Sequence, residues 1–141
     1  MKNDQLDSKI AEITRRAKNY SFDGKHQASI DEYHNALDLI GQNVKKSKHA
    51  VMLYSGIGEV YFLQQKWEEA LEYYGNAVQS EGGLGEPLIH LRLGQLRYEL
   101  DQKEKAKDEL LRAYMGGGEK YFEDENPKYL ALISSLINKQ N

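Results

Sequence analysis

Among the residues of this 141-residue chain that could do chemistry the four histidines come first, and His26, His34, His49 and His90 each stand alone. A histidine metal centre needs a second ligand at a spacing such as HExxH, which brings two imidazoles to one helix face. No such spacing occurs. The run Glu123-Asp124-Glu125 carries enough negative charge for a divalent cation, but three consecutive carboxylates do not face one point. Its ordinary reading is solvated charge ahead of a final helix, where it complements the N-terminal dipole. The glycine words "SGIGEV" and "GGLGE" share their composition with phosphate-binding loops, which need a preceding strand and a following helix with free amides. Here Gly56 and Gly58 fall inside a helical pattern, Gly82, Gly83 and Gly85 in a turn, and Gly116, Gly117 and Gly118 after a helix end. With no cysteine there is neither thiolate chemistry nor a disulfide framework. No serine or carboxylate stands with a credible base or acid partner. These patterns predict no catalytic site, no metal and no cofactor.

Charge and hydropathy exclude two further classes of partner. The formal charge is −3 with signs mixed throughout, whereas phosphate binding needs a concentrated Lys/Arg face; nucleic acid is not an expected partner. No apolar stretch approaches the ~20 residues of a membrane span, and the opening "MKNDQLDSKI" has no signal-peptide core. Together with the lack of cysteine, this reads as a cytoplasmic protein.

The elements that must position any site repeat along the chain. Residues 51–83 and 87–118 carry one pattern at an offset of 36, which pairs Leu53 with Ile89, Ile57 with Leu93, Gly58 with Gly94, Ala70 with Ala106, Tyr74 with Leu110 and Ala77 with Ala113. An upstream copy lies at an offset of 41: Tyr20, His26, Ser29, Tyr33 and Ala36 fall on Tyr61, Trp67, Ala70, Tyr74 and Ala77. His26 therefore occupies a packing slot. Tyr20, Tyr33, Tyr54, Tyr61 and Tyr74, half of the ten tyrosines, read as core rather than as a stacking platform for single strands.

Apolar spacing of three and four and local stop signals give the helices. The first opens at Asp4 or Asp7 and stops at Asp23-Gly24; the second spans about 26–41, and "QNVKKSK" is a longer loop or an extended helix end. Helices at about 48–63 and 66–80 follow, then "EGGLGE" and a helix led by Pro87, where the missing N–H costs nothing. The next spans about 103–115, and Asp101 with Glu104 has the spacing of a capping box. Asn126-Pro127 begins a last helix with Tyr129, Leu130, Ile133, Leu136 and Ile137 on one face and Asn138, Lys139 and Gln140 at its end.

A period in the mid-thirties that carries Leu-Gly, a Tyr, then Ala, an aromatic and Ala is the signature of a two-helix repeat, and at these positions the chain resembles the tetratricopeptide repeat family. Tyr54, Ile57, Gly58, Tyr61, Ala70, Tyr74 and Ala77 fill the motif, with Gly82 where the family usually has Pro. Arg97 stands in place of a Tyr, and Arg16-Ala17 in place of Leu-Gly. The resemblance implies an all-α, right-handed α-α superhelix of three helix pairs plus a C-terminal capping helix. It implies one domain over 1–141, with repeats at about 10–43, 51–83 and 87–118 and the cap at about 127–138. A chain of this size hides roughly two-thirds of its unfolded surface, and a solenoid needs a cap to cover its last apolar flank.

The resemblance also implies where a partner binds. The family's usual contact positions, on the concave side, are Ala11, Thr14, Lys18, Ser21 and Phe22; Met52, Ser55, Glu59, Phe62 and Leu63; then Leu88, Leu91, Gln95, Tyr98 and Glu99, with Lys128, Ala131 and Ser135 from the last helix. Met52, Phe62, Leu63, Leu88, Leu91 and Tyr98 make the centre apolar, which suits an amphipathic helix or extended peptide. Where relatives grip a chaperone's terminal carboxylate with a Lys/Asn/Arg clamp, this chain has Thr14, Lys18, Gly56, Leu88 and Arg92; only Arg92 matches. The reading is a non-enzymatic protein- or peptide-binding scaffold or adaptor. A rival comes from "AYMGGGEKYFEDENPKYL", which is similar to a segment of short bacterial tetratricopeptide-like proteins, some of them immunity partners that bind and neutralise a toxin. Two other occupants of the groove stay open, the terminal helix itself and a second copy in a homodimer.

Overall fold

A computed structural model describes residues 2–138; Lys139 and Gln140 lie outside the described residues. Those residues form seven α-helices and two short 3₁₀ turns, with no strand among them. The helices are α1 (Asn3–Phe22), α2 (His26–Ile40), α3 (Ala50–Leu63), α4 (Trp67–Gln79), α5 (Pro87–Glu99), α6 (Lys103–Gly117) and α7 (Pro127–Asn138). Helices α1/α2, α3/α4 and α5/α6 pack as pairs, and the pairs stack through α2 on α3 and α4 on α5. The result is an all-α solenoid, with α7 packed against α6.

Small residues set how closely each pair approaches. A Cβ added to Gly58 would lie 2.7 Å from the Tyr74 ring, and one added to Gly94 would lie 2.5 Å from Leu110 Cγ. Facing helices pack 8–10 Å apart according to the side chains at the contact, so a glycine on one helix admits a large side chain from the other. Ala17 and Ala77 are fully buried, and Ser29 Oγ donates to the Ala17 carbonyl at 2.7 Å. Around these contacts the apolar side chains gather in clusters, and Tyr54 and Tyr61 of α3 pack against both the cluster α3 shares with the first pair and the one between α4 and α5.

The turn within each pair is the same turn three times. The amides of Lys25, Lys66 and Gln102 each reach back five residues, to the carbonyls of Tyr20, Tyr61 and Arg97, at 2.8, 3.0 and 2.8 Å. The preceding residue is left-handed in every copy: Gly24 at φ 77°, Gln65 at 59° and Asp101 at 60°. This geometry overturns the expected capping box. Asp101 is committed to the turn, the cap position falls on Gln102 without a side-chain cap bond, and Glu104 pairs with Lys107. Arg97, which replaces a Tyr, donates across the turn to Gln102 Oε1 at 2.6 Å. Gly82, which replaces a Pro, has φ 88°, a value the pyrrolidine ring cannot reach.

One further expectation changes in detail and another is narrowed. Helix α1 opens at Asn3, earlier than Asp4 or Asp7; Asp7 instead receives Lys48 at 2.8 Å and His49 at 2.6 Å. Of the two readings of the extra residues after α2, the longer loop holds, with a 3₁₀ turn, Val44–Lys46, inside it. It is pinned to the end of α4, where the Lys45 carbonyl accepts the Glu81 amide at 2.8 Å.

Candidate functional site

Because α1, α3 and α5 lie side by side, their inner faces enclose a groove of about 940 Å³. Of the sequence-predicted positions, Lys18, Ser21, Phe22, Met52, Ser55, Glu59, Leu63, Leu88, Leu91 and Arg92 line it. Its rim is apolar and open: Phe22 is 92% exposed, Leu63 59%, Leu88 54% and Met52 39%. Phe22 and Leu63 close their helices at one end of the groove, whereas Met52 and Leu88 stand near the starts of α3 and α5. Gly56 also lines the groove because the Tyr33 ring occupies the space its side chain would need.

The floor is an ion-pair network centred on Arg92. Its Nε and Nη2 donate to the two oxygens of Glu59 at 2.9 and 3.1 Å, while Nη1 reaches Glu125 Oε1 at 2.5 Å and Gln95 Oε1 at 2.8 Å. Gln95 Nε2 also donates to Glu125 Oε1, at 2.6 Å. Tyr74 completes the set by donating its hydroxyl to Glu59 at 2.6 Å. Burial opposes the charge on Arg92, but Glu59 and Glu125 more than offset it and hold the guanidinium more firmly protonated than usual. Burial, with Glu59 adjacent, drives the Tyr74 phenol strongly upward.

Of the predicted contact positions, Ala11, Thr14, Glu99, Lys128, Ala131 and Ser135 do not line the groove, and neither do Phe62, Gln95 and Tyr98. Phe62 lies beneath Arg92, 4.4 Å from guanidinium carbon to ring centroid, with its edge on Trp67. Gln95 is 1% exposed under Glu125. Tyr98 stacks edge-on against Tyr129 of α7. Leu91 lines the groove yet is 2% exposed, since it packs with Phe122, Tyr129 and Ile133. The terminal segment therefore fills the third-pair end of the inner face and leaves the rest open.

That segment corrects the reading of the acidic run as solvated charge at one residue: Glu125 turns inward to Arg92, whereas Glu123 and Asp124 are exposed, Asp124 at the groove with Lys120 and Tyr121. The available signal was the Tyr121-Phe122 pair within polar sequence. Phe122 is buried beside Tyr114 in the second 3₁₀ turn, Glu119–Phe122. A smaller hollow of about 550 Å³, beside Lys18 and Met52, is lined by Ala11, Thr14, Asp7 and His49. The hydroxyls of Thr14 and Ser55, at equivalent positions 41 residues apart, are buried without a hydrogen-bond partner.

Three of the histidines, His34, His49 and His90, join elements, whereas His26 Nδ1 is buried without a hydrogen-bond partner. His90 is buried between Glu109 Oε2 and the Leu84 carbonyl, both at 2.6 Å, and fastens the loop before α5 to α6. His34 meets the edge of Tyr73. Among the described residues no group of three or more His, Cys, Asp or Glu side chains is placed to hold a metal, and no helix is long and apolar enough to cross a membrane.

The sequence model described as tetratricopeptide repeat matches residues 9–80. No curated protein matches. Among solved structures, the first TPR of Spaghetti (RPAP3) bound to the HSP90 peptide SRMEEVD is 19% identical with a TM-score of 0.68, over 92% of this chain and 94% of that one. The Yersinia enterocolitica type III secretion chaperone SycD, in complex with a peptide of the translocator YopD, is 13% identical with a TM-score of 0.70, over 99% and 98%. The second TPR domain of human RPAP3, in complex with the HSP70 peptide SGPTIEEVD, is 17% identical with a TM-score of 0.67, over 94% and 98%. At such identities the likeness is one of fold.

Proposed function

Because this chain belongs to the tetratricopeptide repeat family, we propose that it is a non-enzymatic binding module that holds an apolar or amphipathic segment of another protein in the groove between α1, α3 and α5. One observation carries the reading: four large apolar side chains, Phe22, Met52, Leu63 and Leu88, stand exposed around a single hollow. Exposed apolar side chains scattered singly need no explanation, but a set gathered on one concavity marks an interaction site. Three structures of the same fold hold peptides, which supports this use of the scaffold. Recognition of an acidic chaperone tail through Arg92 is not part of the proposal, since Glu59 and Glu125 already occupy that guanidinium.

The test begins with affinity capture from the native host and titration of the captured partner. Phe22→Ala, Leu63→Ala and Leu88→Ala remove exposed side chains, so the fold should be unchanged while affinity falls by more than ~1 kcal/mol at one or more positions. Lys46→Ala, in the exposed Val44–Lys46 turn, should have little effect, because solvated charges contribute weakly. Unchanged binding in all three rim variants would sink the proposal. A concentration-dependent dimer that Leu63→Asp dissociates would instead assign the groove to a second copy.

A further inference from the structure

Glu125 presents a single oxygen to two donors of α5, Arg92 Nη1 at 2.5 Å and Gln95 Nε2 at 2.6 Å. Those donors are held by contacts that do not involve Glu125. Glu59 grips the other edge of the guanidinium through two bonds, the Phe62 ring lies beneath it, and Gln95 Oε1 accepts from Arg92 at 2.8 Å. A guanidinium and an amide fixed in this way match the geometry of a carboxylate. A further cation that the segment does not carry, Lys18 of α1, lines the same groove and forms no salt bridge among the described residues.

We propose that Arg92 and Gln95 form a carboxylate-binding site, that Glu125 fills it as an intramolecular ligand, and that an acidic peptide enters only by displacing the 118–126 segment. The inference rests on the groove as the binding face and adds a gate to it. Arg92, Glu59 and Glu125 together carry a net charge of −1, so the two carboxylates repel across one cation and the second is held less firmly than the first. Its tether compensates. A short connection presents a bound group at an effective concentration on the order of mM, so a free carboxylate of ordinary affinity loses the competition. The wild-type groove thereby rejects acidic tails and favours neutral, apolar segments.

Fluorescence anisotropy with labelled SRMEEVD, a peptide with acidic side chains and a free terminal carboxylate, tests the gate at low salt. Glu125→Ala should bind it about tenfold more tightly than wild type as the intramolecular competitor is lost, with the fold checked by circular dichroism. Adding Arg92→Lys, which keeps the charge but not the two-pronged geometry, should abolish the gain. A folded Glu125→Ala variant with wild-type affinity, or a gain that survives Arg92→Lys, would overturn the proposal. Glu125→Gln retains an acceptor oxygen without the charge. If Glu125→Ala does not fold, Glu125→Gln must still bind about threefold more tightly, and unchanged affinity overturns the proposal as well. None of these results bears on the rim variants and the native partner, so failure of the gate and failure of the groove are separate outcomes.

Discussion

Gln65 and Asp101 sit at φ 59° and 60°, where an L side chain crowds its own backbone, and Gly24 occupies the same turn position in the first helix pair. Left-handed geometry costs an ordinary residue about 1–2 kcal/mol, partly offset in glycine by its greater unfolded-state entropy. Gln65→Gly and Asp101→Gly should therefore each stabilise the fold by up to about 1 kcal/mol in urea unfolding; destabilisation at both positions would contradict the turn geometry. Gly58→Leu should act the other way. Its side chain would be driven into the Tyr74 ring, an overpacking cost of about 1–3 kcal/mol. Gly58 was legible in the sequence because close approach demands a small residue at a fixed repeat position. Asp101 was misread because a carboxylate three residues before a Glu fits either a helix cap or a left-handed turn, and only the backbone distinguishes them.

At the scale of elements, α7 determines how the solenoid ends. Lys128 and Tyr129 each lie 2.6 Å from Glu99 Oε1 and fasten α7 to α5. Burial would raise the Glu99 carboxyl, but hydrogen bonds from Lys128 and Tyr129 and the lysine charge outweigh it and hold Glu99 below its usual value of 4.5. A carboxyl depressed by folding contributes stability that is fully present above the unfolded value and is lost as pH falls through the folded one. Melting temperature should drop as pH falls below about 4.5, and Glu99→Gln should flatten that part of the profile; an identical acid profile would contradict the fastening. Ile133, fully buried on the inner face of α7, should cost about 2–5 kcal/mol on truncation to Ala. Deleting 127–141 should expose the faces of Leu91 and Leu110 and cause aggregation, whereas a soluble and equally stable truncation would refute the capping role. The helix and its buried face were readable from the spacing of Tyr129, Ile133 and Ile137. The inward turn of Glu125 was not, because its partner Arg92 lies 33 residues away and an acidic run gives no sign of which carboxylate is paired.

For the whole molecule, the periodic small and aromatic residues made the stacked helix pairs legible, and the repeat alignment named the exposed apolar rim, Phe22, Met52, Leu63 and Leu88. Which of the other inner-face positions stay open did not follow, because Leu91, Gln95 and Tyr98 are covered by a terminal segment that belongs to no repeat. The central claim, that a partner enters between α1, α3 and α5, is tested most directly by amide hydrogen exchange of the chain with and without its captured partner. The account predicts new protection in the C-terminal half of α1, along α3, at the start of α5 and across 118–126, with α2, α4 and α6 unchanged. Protection confined to α2, α4 and α6, with the groove helices exchanging as before, would contradict it.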